Sequence, residues 1–446
     1  MIMSELKAEI DPAEAGFAAD RLHRLDDKFA RYVDDGRLKG WLLTVSRHGK
    51  LAYVARYGQR DAEAGLPVET DTLWRIYSMT KPVTSVAAMM LYEEGRFQLT
   101  DPVSKFIPSF KDMRVFTGGS DQRPVTVPAT EPVRIWHLLT HTSGLTYGFH
   151  RMHPVDGMYR TAGFDLGLRP GTLEAACDLW AGFPLLFQPG TEWNYSVATD
   201  VLGRVVEVAS GQSLDEFFAQ RILQPLGMTD TAFYVTPDEL GRLAALYARA
   251  IDGTAGRFNA LAEEVRKPPV MLSGGGGLVS TAADYNRFLN MLLARPDSPA
   301  GELDGVQLLS PRTVRYMGRN HLPGNQDLAQ FGRPLNAESP QVGTGFGLGF
   351  AVVIDPVPGR VVCSLGELSW GGAASTAFWI DPAEELTVSF FTQLIPSSAH
   401  PIRNELRQLI YQALRLFNGP PPRSRPGLAA AHGRGDARRG LAQLPG

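Results

Sequence analysis

The sequence predicts an α/β protein in which both ends of the chain build one lobe that holds the strands, while an inserted lobe is mainly helical. Strand-like apolar segments lie near the N-terminus and again after the glycine run at residues 274–277, and turns alternate with helical patterns between them. The 446 residues, 44% of them hydrophobic, are ample for a large core. The predicted division is 1–110 and 272–419 for the α/β lobe, 111–271 for the helical lobe and 420–446 for a disordered tail.

The first part of the chain predicts a helix, a hairpin and a second helix. Residues 13–35 carry apolar side chains at helical spacing. Residues 41–47 and 51–57 are predicted strands joined by a turn at residues 48–50. The strand-like residues 73–77 lead into an amphipathic helix that opens at Ser78 and stops at Gly95.

The remaining elements follow the same patterns. Helices are predicted in the inserted lobe at residues 172–180, 198–209 and 214–222. Strands are predicted after the glycine run at residues 345–354, 360–365, 375–380 and 386–393, with a turn at 381–384. Residues 404–417 predict a closing helix.

Composition excludes several classes of function. The formal net charge is -3 and no basic run is interleaved with aromatic residues, so a nucleic-acid partner is not expected. No stretch is apolar enough to span a membrane, and the acidic N-terminal residues lack a signal core, which predicts a cytoplasmic protein. The two cysteines, Cys177 and Cys363, lie far apart, and no metal-binding motif is present.

The most informative motif is Ser-Met-Thr-Lys at residues 78–81. On a helix, residues three apart share one face, so Lys81 lies beside the Ser78 hydroxyl. A serine paired with a lysine is a candidate nucleophile that forms an acyl-enzyme without a histidine. The pattern is loose, and taken alone it equally fits a helix cap with a solvated lysine.

Two further segments carry candidate site residues. Tyr195 lies on a predicted loop after Pro189-Gly190 and just before an apolar helix, where a phenol can reach a cleft and act as a base. Ser-Trp-Gly-Gly-Ala at residues 369–373 lies between two predicted strands, and its glycines allow a ligand to approach the backbone. Each segment alone also fits an ordinary structural role.

Taken together and in this order, the three motifs resemble those of family VIII carboxylesterases, within the class C β-lactamase and penicillin-binding-protein superfamily. The resemblance spans about residues 15–418 and implies an antiparallel sheet flanked by helices, as in serine β-lactamases and DD-peptidases. Supporting segments are His-Leu-Leu-Thr-His-Thr-Ser-Gly-Leu at 137–145 and Gly-Gly-Gly-Gly-Leu-Val-Ser at 274–280. The motif residues are Ser78 and Lys81; Tyr195, Ser196 and Val197; and Trp370, Gly371 and Gly372.

Two departures from the wider superfamily bear on substrate choice. Val197 stands where the superfamily has asparagine, and Trp370 stands where it usually has the lysine of Lys-Thr-Gly. Without that lysine the site loses a cation for a substrate carboxylate, so a neutral ester is favoured. The four histidines at 137, 141, 150 and 153 also permit a metal site or a Ser-His relay, but no carboxylate partner is evident.

The resemblance implies hydrolysis of short-acyl carboxylic esters by Ser78, Lys81 and Tyr195, with no metal or organic cofactor. It places the two oxyanion-binding amides at Ser78 and Ala373, and Trp370 beside the substrate. Which of Lys81 and Tyr195 removes the serine proton stays open, with Tyr195 favoured. The alternatives are β-lactamase or D-amino-acid peptidase activity, acyl transfer, and a non-catalytic binding protein.

Overall fold

The structure is a computed structural model that describes residues 6–165, 171–295, 297–333 and 341–415. The predicted tail at 420–446 lies outside these residues. The strands in chain order are β1 (Gly40–Arg47), β2 (Lys50–Asp61), β3 (Leu66–Pro67), β4 (Trp74–Arg75), β5 (Arg114–Gly119), β6 (Pro124–Pro128), β7 (Tyr247–Arg249), β8 (Ala255–Arg257), β9 (Val279–Ser280), β10 (Glu302–Leu303), β11 (Val306–Gln307), β12 (Thr344–Phe346), β13 (Ala351–Val353), β14 (Leu368–Gly371), β15 (Ala377–Asp381), β16 (Leu386–Phe391) and β17 (Leu394–Ile395).

The α-helices lie mostly between the two groups of long strands. In chain order they are α1 (Ala19–Asp34), α2 (Thr80–Glu93), α3 (Ile135–Leu139), α4 (Pro154–Thr161), α5 (Leu173–Ala181), α6 (Ala198–Ser210), α7 (Leu214–Phe218), α8 (Ala282–Leu292), α9 (Pro311–Met317), α10 (Leu328–Phe331), α11 (Pro356–Gly359) and α12 (Ile402–Tyr411). None of the described helices is long and apolar enough to cross a membrane.

One eight-stranded sheet organises the chain, in the order β12-β13-β14-β15-β16-β1-β2-β3. All neighbouring strands in it are antiparallel. Strands from both ends of the sequence meet where β16 pairs with β1, with Val45 opposite Val388. The predicted fold class, an antiparallel sheet built from both chain ends and flanked by helices, is therefore confirmed. The predicted lobe boundaries stay a prediction.

The sheet is covered by helices on both faces because its strands alternate their side chains between the two. Leu43 and Phe390 lie in the apolar cluster under α1 and α12. Leu42 and Phe391 point the opposite way, into the larger cluster that includes α8. The central strand β1 is buried along its whole length.

Several local predictions differ from the structure. The first helix begins at Ala19, six residues later than predicted, because the preceding residues form a turn with Gly16 at φ 82°. The apolar segment at 345–354 is two short strands, β12 and β13, paired with each other. The strand predicted at 360–365 is wrong: this segment is irregular, and Val362 and Leu365 are about two-thirds exposed (66% and 67%).

Two further differences concern the middle of the chain. The helix after Ser78 is not amphipathic, because every residue of it from Thr80 to Leu91 is buried. The segment 111–271 also holds strands that the sequence did not predict, the β5–β6 and β7–β8 hairpins. The first of these was missed because its valines, Val125 and Val127, face outwards and form no core pattern.

A buried ion pair fastens α12 to the sheet. Arg407 donates from Nε and Nη2 to Glu367 Oε1, at 2.9 and 2.7 Å. Glu367 is fully buried and directly precedes β14, and burial raises the pKa of its carboxyl above the ordinary value. Tyr411 of the same helix lies within hydrogen-bond distance of Glu367 Oε2 (2.8 Å).

We expect Arg407→Met to lower the free energy of unfolding by about 3–5 kcal/mol, because it leaves the Glu367 carboxylate buried without a counter-charge. Urea unfolding followed by circular dichroism measures the change. The matched control is Lys105→Met, which removes an exposed pair with Asp101 and should cost less than about 1 kcal/mol. The double variant Arg407→Met/Glu367→Gln should regain part of the loss, and no recovery would contradict this account.

Candidate active site

Ser78 lies at the junction between β4 and α2. It is the middle residue of a single 3₁₀ turn, Tyr77–Met79, and α2 begins two residues later at Thr80. The predicted helix start is therefore displaced by one short turn, while Pro82 falls in the first turn of α2 as predicted. Ser78 is partly exposed, so its hydroxyl is accessible from the cleft.

Lys81 lies one turn further along and is almost completely buried, with 2% of its surface exposed. Its ammonium nitrogen donates to Ser78 Oγ at 3.2 Å and to the carbonyl oxygen of Gly275 at 2.7 Å. The Nζ atom also lies 4.5 Å from the centre of the Tyr195 ring. The predicted pairing of Ser78 with Lys81 is present in the structure.

Tyr195 completes the group. Its hydroxyl donates to Ser78 Oγ at 2.5 Å. The loop that carries Tyr195 precedes α6, as predicted. Two hydrogen bonds hold its main chain: His150 Nε2 donates to the Tyr195 carbonyl oxygen at 2.7 Å, and the Asn194 backbone N–H donates to the His141 carbonyl oxygen at 2.9 Å. Ser78, Lys81 and Tyr195 thus meet at one point although 117 residues separate the first from the last.

The third motif lies closer to the sheet than predicted. Trp370 and Gly371 are the last residues of β14 rather than part of a connection between strands. A Cβ atom on Gly372 would lie 2.5 Å from the carbonyl oxygen of Ile76, so only glycine permits this approach to the segment before Ser78. Ala373 follows and lines the same cavity as Ser78. The Trp370 ring lies 5.2 Å from the Tyr195 ring.

These residues line a cavity of about 320 Å³, a size that suits a small organic ligand. One side of it is aromatic, with Tyr147, Phe149, Phe164 and Trp180. The charged side chains that line it are Arg75, Asp165, Asp200, Glu264 and Arg403. Arg75 donates to the carbonyls of Ala244 and Ala262, and Arg403 to those of Gly372 and Thr376.

The clustered histidines do not form a metal site. His137 accepts from the Arg134 amide, and burial lowers its pKa to about 3. Burial likewise lowers the pKa of His141, and neighbouring Lys81 lowers it further. Within the described ranges no group of three or more potential metal ligands comes together.

The structure adds two residues that the sequence did not single out, Asp200 and Tyr147, and shows how Gly275 of the glycine run contacts the site. Asp200 on α6 and Gly275 in the glycine run both lie beside Lys81. Tyr147 places its ring 5.4 Å from Lys81 Nζ. A usable signal for Asp200 was its place among the apolar residues of the predicted helix, beside Val201 and Leu202, because burying a carboxylate is costly without a purpose. No pattern pointed to Tyr147.

The Beta-lactamase family model matches residues 25–412. Protein Rv1367c of Mycobacterium tuberculosis (strain ATCC 25618 / H37Rv) is 40% identical over 367 residues, which cover 81% of this chain and 88% of that relative. Esterase EstB of Burkholderia gladioli is 33% identical over 426 residues, covering 91% and 99%. The solved structure of EstCE1, a hydrolase with promiscuous acyltransferase activity, matches with a TM-score of 0.73 at 28% identity, over 88% of this chain and 99% of that one.

The family model covers most of the chain, and the three motifs lie inside the matched range. The fold and the order of the motifs agree with the match. The chain belongs to the β-lactamase family, and the resemblance to the family VIII carboxylesterases is confirmed.

Proposed function

We propose that the protein hydrolyses carboxylic esters through an acyl-serine intermediate on Ser78. The observation that supports it most directly is the convergence on Ser78 Oγ of the Tyr195 hydroxyl at 2.5 Å and of Lys81 Nζ at 3.2 Å. A serine is a weak nucleophile until a neighbouring base takes its proton, and among the described residues these two side chains lie within hydrogen-bond distance of its oxygen. The relatives named esterase and hydrolase support the same reaction class.

Tyr195 is the proposed proximal base because its oxygen is the nearer of the two. In the proposed reacting form Lys81 and Tyr195 hold one proton between them, with Lys81 as the ammonium and Tyr195 as the phenolate. As Ser78 Oγ attacks the ester carbonyl carbon, its proton passes to the phenolate oxygen of Tyr195, and the charge of Lys81 stabilises the phenolate beforehand. The proton then moves to the leaving alcohol as the C–O bond breaks. In the second half of the reaction a water molecule gives a proton to the Tyr195 phenolate while its oxygen attacks the acyl carbon. The bond between that carbon and Ser78 Oγ then breaks, Ser78 Oγ takes the proton from Tyr195, and the acid is released.

The negative charge of the tetrahedral intermediate would be held by the backbone amides of Ser78 and Ala373. This proposal rests on the family resemblance together with the close approach of Gly372 to the segment before Ser78. A preorganised donor of this kind contributes roughly 3 kcal/mol to lowering the barrier. No metal or organic cofactor takes part in the proposed sequence of steps.

The proposed substrate is a neutral ester with a short acyl group. Trp370 presents an indole where a lysine would attract a carboxylate, and the aromatic residues of the cavity favour apolar groups. The two arginines of the lining are hydrogen-bonded to main-chain carbonyls. These features weigh against β-lactams and D-amino-acid peptides, which carry a carboxylate. A small-molecule partner and a cytoplasmic location remain part of the proposal.

Acyl transfer to an alcohol is a second candidate, favoured by the similarity to EstCE1, which is described as having promiscuous acyltransferase activity. The acyl-serine intermediate is common to both reactions. They differ only in whether water or an alcohol attacks it.

Ser78→Ala should lower kcat/KM for p-nitrophenyl butyrate by about four orders of magnitude or more, because it removes the nucleophile of a unit whose members act together. The melting temperature should stay close to that of the wild type. A fluorophosphonate should add to Ser78 alone, as mapped by mass spectrometry, whereas the control Ser109→Ala keeps both labelling and turnover. Near wild-type turnover by Ser78→Ala would end this proposal.

Lys81→Ala and Tyr195→Phe should each lower kcat/KM about a thousandfold, because the two side chains serve one proton transfer. The double variant should be little worse than either single variant. Steady-state kinetics on the same ester measure all three. Losses that simply multiply would show that Lys81 and Tyr195 act independently.

With p-nitrophenyl butyrate as donor, added 1-butanol should divert part of the acyl group into butyl butyrate if acyl transfer occurs at the same site. Gas chromatography measures the ratio of butyl butyrate to butyrate as the butanol concentration rises. Ser78→Ala should form neither product. Butyrate alone at every butanol concentration would reject the second candidate and leave hydrolysis standing.

A further inference from the structure

Asp200 is a buried carboxylate that lines the cavity and has no role in the three motifs. It lies in the first turn of α6, and only 4% of its surface is exposed. Buried charges are normally paired, since an unpaired carboxylate loses its hydration without compensation. In the described parts of the chain, however, no lysine, arginine or histidine lies within ion-pair distance (4.0 Å) of Asp200.

The side-chain hydrogen bonds of Asp200 go to the segment that carries the glycine run. Its Oδ1 atom accepts from the Ser273 hydroxyl at 2.5 Å and from the Gly275 amide at 3.0 Å. A Cβ atom on Gly275 would lie 2.5 Å from Oδ2, so the main chain can approach this carboxylate only because residue 275 is glycine. The carboxylate therefore fixes the position of Gly275.

Gly275 in turn holds the lysine of the site. Its carbonyl oxygen accepts from Lys81 Nζ at 2.7 Å. Lys81 is likewise a buried charge without a direct ionic partner: among the described residues no carboxylate lies within 4.0 Å of its ammonium nitrogen. One glycine thus lies between a buried cation and a buried anion, each of which lacks a direct ionic partner.

The electrostatic coupling of the two groups agrees with this geometry. Burial raises the pKa of Asp200 above its ordinary value, and the strongest opposing influence is the positive charge of Lys81. The hydrogen bonds from Ser273 and Gly275 oppose the burial as well. Attraction between charges in a poorly hydrated interior is stronger than in water.

We propose that Asp200 is the positioning residue and remote counter-charge of the catalytic lysine, acting through Gly275 and through its field rather than by touching the substrate. This role rests on the proposed function of Ser78, Lys81 and Tyr195. A negative charge near a proton-sharing group stabilises its protonated forms. Loss of the negative charge should therefore shift the plot of kcat/KM against pH to lower pH, on both its acidic and its basic limb. If Asp200 only held α6 and the glycine run together through hydrogen bonds, its replacement by asparagine would leave both limbs at their wild-type pH.

The test compares Asp200→Asn with Asp284→Asn. Asp284 is also 4% exposed, and its Oδ2 accepts from a backbone amide and a hydroxyl, those of Asp230 and Thr231, both at 2.8 Å. It does not line the cavity. Both variants replace a buried, hydrogen-bonded carboxyl group with an amide. Burial raises the pKa of both carboxyl groups, that of Asp284 to about 7, and only Asp200 is influenced by Lys81.

We expect Asp200→Asn to lower kcat/KM for p-nitrophenyl butyrate about tenfold or more and to shift both limbs of its pH profile down by at least about half a unit. Asp284→Asn should alter thermal stability alone. Asp200→Glu, which keeps the charge, should keep limbs near those of the wild type even if its turnover falls. The rate of fluorophosphonate labelling of Ser78 across pH gives a second readout that does not depend on the ester.

The following outcomes decide between the possibilities. Limbs that do not move in Asp200→Asn, or that move equally in Asp284→Asn, would overturn the counter-charge role. A wild-type protein that neither labels at Ser78 nor hydrolyses esters would reject the proposed function, and this role with it. Wild-type labelling together with an unshifted Asp200→Asn profile would reject only the role of Asp200.

Discussion

The arrangement of the site depends on the burial of one lysine. An ammonium ion taken out of water loses several kcal/mol of hydration, and its surroundings must replace that loss. Around Lys81 the replacement comes from the Ser78 hydroxyl, the Gly275 carbonyl and two aromatic ring faces. Because these groups come from four distant parts of the sequence, the lysine is tolerated only once the whole fold has formed around it.

The sheet is what brings the distant parts together. Strand β14 carries the third motif, and its extension at Gly372 packs against the carbonyl of Ile76, immediately before the turn that holds Ser78. Two side chains of α12 bind the ends of the same strand: Arg403 donates to the carbonyl oxygen of Gly372, and Arg407 donates to the carboxylate of Glu367. Helix α12 therefore contributes to the position of the site although it supplies none of the proposed catalytic residues.

Much of the fold and the proposed catalytic residues could be predicted from the sequence, for different reasons. The long strands β1, β2, β15 and β16 and the helix α6 carry clear periodic patterns. Ser78, Lys81 and Tyr195 were found through motif order. Two predictions were wrong because tertiary packing decides them. The segment at 360–365 resembles a strand locally but pairs with no strand, and α2, predicted to be amphipathic, is buried on all sides. Asp200 was missed because its importance lies in a contact with Gly275, 75 residues away.

The composition of the cavity connects the two reactions found among the relatives. Its arginines donate to main-chain carbonyls, its other charged lining residues are the carboxylates Asp165, Asp200 and Glu264, and Trp370 takes the place of a lysine, so aromatic and apolar walls remain for binding neutral groups. Apolar walls favour an ester with apolar groups over a charged one. The same walls also favour an apolar alcohol over water once the acyl-serine has formed. In such a site hydrolysis and acyl transfer differ by the relative occupancy of water and alcohol beside Tyr195, with no change in the catalytic groups.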